Sequence, residues 1–142
     1  MRNVIVVLVL GLVLMACKEE KKATKEALVF DMYEPSEMAL LMEEMYKINA
    51  RIKQDILAGK TPGEFPEVFL KIHTAELSDF KDRNQTFESF SKLFLEREQA
   101  VFESLSNTAA KQRYNQAINL CISCHQTTCT GPIPRIKKLL IK

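Results

Sequence analysis

Cys121 and Cys124, followed at once by His125, put two thiols and an imidazole on one short stretch of chain. On an α-helix positions i, i+3 and i+4 share a face, so all three side chains would address one flat partner. Thiols at this spacing can add to the two vinyl groups of haem as thioethers, and the imidazole beside them is placed to bind the iron from one side. The run is therefore the attachment pattern for one covalent haem c, held by Cys121 and Cys124 with His125 as an axial ligand. Two other chemistries use similar residues. A redox dithiol normally opens a helix after a strand in a βαβ unit, and no strand pattern precedes this one. Zinc could draw on Cys121, Cys124, Cys129 and a histidine, although adjacent Cys124 and His125 suit a tetrahedral cage poorly.

The elements that must position these groups read as helices. Asn107 to Leu120 has Asn107 or Thr108 as a cap and Tyr114, Ala117, Ile118 and Cys121 on one stripe, so the motif falls near a helix C-terminus. Upstream, Pro35-Ser36 opens a strong helix with Ser36 as its cap; Met38, Leu41, Met42, Met45, Ile48, Ile52 and Ile56 form its apolar stripe. That helix stops at Gly59, before the turn residues Lys60-Thr61-Pro62-Gly63. A second helix is expected from Glu64 to Phe80 on Phe65, Val68, Phe69, Ile72 and Leu77. After Lys81-Asp82-Arg83-Asn84, a third is expected from Gln85 to Leu105 on Phe87, Phe90, Phe94, Val101 and Leu105. Thr130-Gly131-Pro132-Ile133-Pro134 ends the fourth, and a short basic tail, Arg135 to Lys142, follows.

Four amphipathic helices with short connections predict an all-α fold, an antiparallel up-down-up-down four-helix bundle with a C-terminal basic tail. In such a bundle the start of helix one lies beside the end of helix four, which brings Met38, Met42 and Met45 to the end that carries His125. Scarce glycine, no tryptophan and stretches rich in Glu, Lys, Leu, Ala and Met agree with an all-helical chain. The 20 Lys and Arg against 18 Asp and Glu leave no basic excess that would indicate a nucleic-acid partner.

The N-terminal end supplies a cellular context. Arg2 precedes an apolar run, Val4 to Met15, that ends in Leu14-Met15-Ala16-Cys17 before Lys18-Glu19-Glu20-Lys21-Lys22. Residues 1–16 read as a signal peptide too short for a membrane span, 17–34 as a tether and 35–142 as the folded domain. A small residue before Cys17 resembles the lipobox of bacterial lipoproteins, which implies an acylated Cys17 and a domain held at the membrane through its lipid. Lys18 after that cysteine does not resemble an inner-membrane retention signal, so the expected address is the bacterial cell envelope, a periplasm-facing lipoprotein of the outer membrane. With Cys17 acylated and Cys121 and Cys124 on haem, Cys129 has no intramolecular partner left.

The lone motif near the C-terminus of a four-helix chain resembles cytochrome c prime and its low-spin relatives of the cytochrome c-556 type. Beyond the motif the resemblance is carried by Leu41-Met42 and by Ala58-Gly59-Lys60-Thr61-Pro62, over roughly Ser36 to His125. In the low-spin relatives a methionine early in helix one is the sixth iron ligand. Aligning the Leu-Met pair puts Met42 there, whereas counting back from Gly59 lands on Glu43. Met38 and Met45 are read as core thioethers, and His73, mid-helix in helix two, as a partly exposed histidine without iron. The family usually follows its histidine with two variable residues and an aromatic-arginine pair; here Gln126-Thr127-Thr128-Cys129 stands in that place. The missing arginine favours one-electron transfer over gas binding.

No nucleophile or general base accompanies the motif, so no enzymatic activity is expected. The expected partners are redox proteins of the cell envelope, with Arg135-Ile136-Lys137-Lys138 as a docking patch for an acidic one, and a homodimer is left open. The alternatives are a pentacoordinate cytochrome c prime that binds nitric oxide or carbon monoxide, and a lipoprotein whose cysteines bind zinc or nothing.

Overall fold

A computed structural model describes Glu34 to Lys142, so the signal segment, Cys17 and nearly all of the tether lie outside the described residues. Within that span the fold is all-helical. Three long helices carry it, α1 (Glu37–Leu57), α2 (Gln85–Phe102) and α3 (Asn107–Thr127), followed by a short α4 (Ile133–Ile136). None of them is long and apolar enough to cross a membrane.

Each long helix starts where a short polar side chain can satisfy a free N–H. Ser36 Oγ accepts from Ala39 N at 3.3 Å, Asn84 Oδ1 from Phe87 N at 3.0 Å and Ser106 Oγ from Ala109 N at 3.2 Å. The cap of α3 is thus Ser106, ahead of Asn107 and Thr108, the two positions expected from sequence. Helix α1 ends through Ala58 into Gly59, whose φ of 78° is left-handed and open to glycine at little cost.

The segment expected as a second α-helix is a 3-10 stretch, Glu67–His73, followed by a 3-10 turn at Phe80–Asp82. Pro66 restrains Phe65 before it, and Thr74 Oγ1 turns back onto Lys71 O at 3.4 Å just after it. Its buried side chains Phe69 and Ile72 are three residues apart, the 3-10 period, and Ala75 just past its end continues that spacing. Arg83 satisfies the carbonyls this segment leaves over, donating to His73 O at 2.8 Å and Ala75 O at 2.7 Å. Met38 N in turn donates to Glu76 O at 2.9 Å, which ties the start of α1 to the same loop. The 3-10 stretch packs against both α1 and α2.

The most extensive contact is between α2 and α3. Helix α1 meets α3 through Asn107 Nδ2, which donates to Ile56 O at 2.8 Å, and through Tyr114 Oη, which donates to Asn49 O at 2.9 Å. Seven residues forward on α3 therefore match seven residues backward on α1. One apolar cluster gathers Ile52, Ile56, Val101, Tyr114 and Ile118; a second, toward the start of α1, gathers Met38, Leu41, Met45, Phe69, Phe87 and Phe94.

The C-terminal residues are not a free tail. Ile136, Leu139 and Ile141 are buried in the first cluster, and Asn115 pairs with the peptide of Ile141 in both directions, at 2.8 and 2.9 Å. Lys53 Nζ donates to Lys138 O and Leu140 O at 2.8 and 2.9 Å, which fastens the last turn to α1. Leu105, expected on the apolar stripe of the third helix, lies past the end of α2 and is fully exposed.

Tyr114 is the largest completely buried side chain, and its hydroxyl makes the α3-to-α1 bond at Asn49. Tyr114→Phe removes only that bond, and the expected loss is about 1 kcal/mol in urea denaturation, with unchanged helix content. An unchanged midpoint would show that the hydroxyl gains nothing over water.

Candidate functional site

Cys121, Cys124 and His125 occupy the last turns of α3, and all three are half-buried. Ile122 between them points into the core and Ser123 is exposed, as helical periodicity requires. Cys121 touches both apolar clusters and so lies at their boundary. Cys121, Cys124 and Cys129 carry free thiols.

The imidazole is held by its own helix end. His125 Nδ1 lies 2.9 Å from Cys129 O, and because a carbonyl oxygen only accepts, Nδ1 carries the proton. In the neutral ring Nε2 is then the bare donor atom, held in a fixed orientation, the form in which histidine binds a metal. Cys129 N also donates back to His125 O at 3.2 Å, so the turn 125–129 closes on itself. Cys129 is exposed, and what it supplies to the site is its backbone rather than its thiol.

The thiols are kept protonated. Burial pushes the Cys121 thiol far up, with the Glu98 carboxylate and Cys124 adding to the effect, and burial raises the Cys124 thiol too. A helix C-terminus, the negative end of the dipole, acts in the same direction. A dithiol that works by thiolate attack needs the opposite environment. Neutral thiols with a poised Nε2 fit covalent haem attachment.

Of the other expected site residues, Met42 is half-buried on α1 and packs on the same cluster that Cys121 borders. Met38 and Met45 are each 6% exposed within that cluster, where they act as core residues. Glu43 is occupied: Arg135 forks onto both its carboxylate oxygens and lies over the Tyr46 ring, 3.9 Å from its centroid. That hydrogen bond from Arg135 holds the Glu43 carboxyl below its ordinary range. Arg135 therefore clamps the C-terminal segment to α1 beside Met42, and Lys137 and Lys138 alone of the expected docking patch stay exposed and outside any ion pair. His73 ends the 3-10 stretch with Nδ1 3.4 Å from Ser91 Oγ and 4.0 Å from Glu88.

One buried group went unread in the sequence. Glu98 is completely buried on α2, and neither of its carboxylate oxygens has a hydrogen-bond partner. The buried positions of α2 are Phe87, Ser91, Phe94, Glu98 and Val101, so the signal was a charged residue in register with the apolar stripe.

No protein-family model, curated protein or solved structure matches this chain.

Proposed function

We propose that this chain is an exported, lipid-anchored monohaem c-type cytochrome that passes single electrons between redox proteins of the cell envelope. Cys121 and Cys124 hold the haem by thioethers, His125 Nε2 is one axial ligand and Met42 is the sixth. The observation that carries the proposal is the Cys-Ile-Ser-Cys-His run on the closing turns of α3, with Nδ1–H engaged by Cys129 O so that Nε2 is free.

The arrangement supports an antiparallel bundle in which the 3-10 stretch stands in for a second helix. Extending the Asn107–Ile56 and Tyr114–Asn49 pairs along both helices sets Met42 level with Cys121 and Met38 level with His125. Between those two levels Met42 is the thioether not committed to the core. The pairing of Glu43 with Arg135 supports Met42 over Glu43 at the ligand position, as in the cytochrome c-556 type.

Bound haem would supply one-electron exchange, and thioether with imidazole ligation raises its potential. The chain's part is to fix the ring of His125, keep both thiols neutral until they are alkylated and line the site with Leu41, Phe69 and Phe94. An acylated Cys17 with more than one chain would hold the domain at the outer membrane, facing the periplasm.

Absorption spectra of the oxidised and reduced protein test the ligand set. The wild type is expected to be low-spin in both states and slow to bind carbon monoxide; Met42→Ala is expected to turn high-spin and bind it at once. A wild type that is already high-spin and binds carbon monoxide or nitric oxide rapidly would replace electron transfer by gas binding. A high-spin wild type unchanged by Met42→Ala removes Met42 from the site.

A further inference from the structure

Glu98 is a carboxyl without a visible structural reason. It lies in the middle of α2 at 0% exposure, with neither oxygen hydrogen-bonded. Each long helix contributes one buried polar residue at this level: Asn49 from α1, Glu98 from α2 and Tyr114 from α3. Asn49 gives one of its two amide N–H groups to Met45 O at 3.2 Å, Tyr114 gives its hydroxyl to Asn49 O, and Asn49 Oδ1 is itself without a partner. The Asn49 side chain lies close enough to offset part of the rise that burial imposes on Glu98, without completing a hydrogen bond to it. The Glu98 carboxyl and Asn49 Oδ1 are thus buried acceptors without a donor.

Among the described residues no cation acts on this carboxyl. From α1 the facing groups are Asn49 and, beyond Tyr114, the Tyr46 phenol; from α3 they are Tyr114 and Cys121. The nearby Arg113 guanidinium donates to Ala100 O at 2.8 Å. The 3-10 stretch brings His73, seven residues back along α2, at Ser91 and Glu88. The C-terminal segment brings only Ile136, Leu139 and Ile141, with its lysines outward.

We propose that Glu98 is the redox-linked proton acceptor of the haem site: it binds one proton from water when that site gains an electron, and releases it on oxidation. This rests on the functional proposal above. The electron comes from a one-electron donor protein and the proton from solvent, so one negative charge entering the core is matched by one positive charge. Burial holds the Glu98 carboxyl up at about 7, where it can exchange protons near neutral pH. Cys121 follows Tyr114 by seven residues, about 10 Å along the helix. For a charge about 10 Å from the carboxyl and an effective dielectric near 20, one added charge shifts proton affinity roughly tenfold.

The test uses the full-length holoprotein, first shown to carry heat-stable haem. A tenfold affinity change is about 59 mV for one electron. The wild-type midpoint potential is expected to fall by about that amount as pH rises through neutrality, and Glu98→Gln to remove the fall. Equal slopes in the two proteins overturn the proposal while leaving the cytochrome intact; absence of haem overturns the functional proposal and this one with it. Should Glu98→Gln not fold, redox-difference infrared spectra of the wild type decide. Glutamate labelled with carbon-13 at its carboxyl, with unlabelled 5-aminolevulinate supplied for the haem, must shift a protonated-carboxyl band that appears on reduction. No label-sensitive band overturns the proposal.

Discussion

Cys121→Ala/Cys124→Ala is expected to lose all haem that survives boiling in detergent, read as peroxidase staining at the protein's own band on a denaturing gel. Axial bonds from His125 and Met42 break when the chain unfolds, whereas thioether bonds do not, so only the two cysteines can keep haem on a denatured chain. Each single variant is expected to keep a weaker stain through the remaining thioether. Both positions are half-buried on the last turns of α3, and alanine keeps the helix, so the double variant should fold with the helix content of the unloaded wild type. Removing Cys129 tests specificity: its thiol is exposed and the His125 contact uses its backbone carbonyl, so Cys129→Ala should stain as strongly as wild type. Absence of stain in the wild type, with a functioning cytochrome-maturation system present, removes the haem proposal outright.

The motif and the two helices that flank the site were legible because their signals are local. Of the expected α1 stripe Met38, Leu41, Met45, Ile52 and Ile56 are buried and Met42 and Ile48 half-buried, and Tyr114, Ala117 and Ile118 are buried on α3. The segment after Gly63 was not, because the three-residue step from Phe69 to Ile72 satisfies an α-helical spacing as well as a 3-10 one, and what decides is Pro66 in front and Thr74 behind. The C-terminal residues misled by composition. Arg135, Lys137, Lys138 and Lys142 dominate the count, yet Ile136, Leu139 and Ile141 between them are in the core, held by Lys53, Lys111 and Asn115 from elements the tail follows by many residues. The state of His125 was also out of reach, since it depends on a carbonyl four residues on that faces the ring only once the helix has ended.

Glu98 was hidden for a different reason, and it carries the second large expected effect, on stability against pH. A carboxyl whose native value is raised binds its proton more tightly folded than unfolded, so its contribution favours the native state at low pH. That contribution is complete below about 4.5, the ordinary value, and is lost as pH rises through about 7, the buried value. The difference corresponds to about 3 kcal/mol over that window. Glu98→Gln keeps the shape, cannot ionise and can donate from its amide to the unpartnered Asn49 Oδ1. Urea denaturation of the two full-length proteins at pH 4, 6 and 8 should therefore show the variant gaining on the wild type as pH rises, by about 3 kcal/mol at pH 8 relative to pH 4. Parallel stability curves would mean that Glu98 finds water or a partner when it ionises, and would weaken its assignment as a proton acceptor. A glutamate that costs stability near neutral pH, level with the hydrogen bond that joins α1 to α3, is the kind of local rule-breaking that function rather than folding explains.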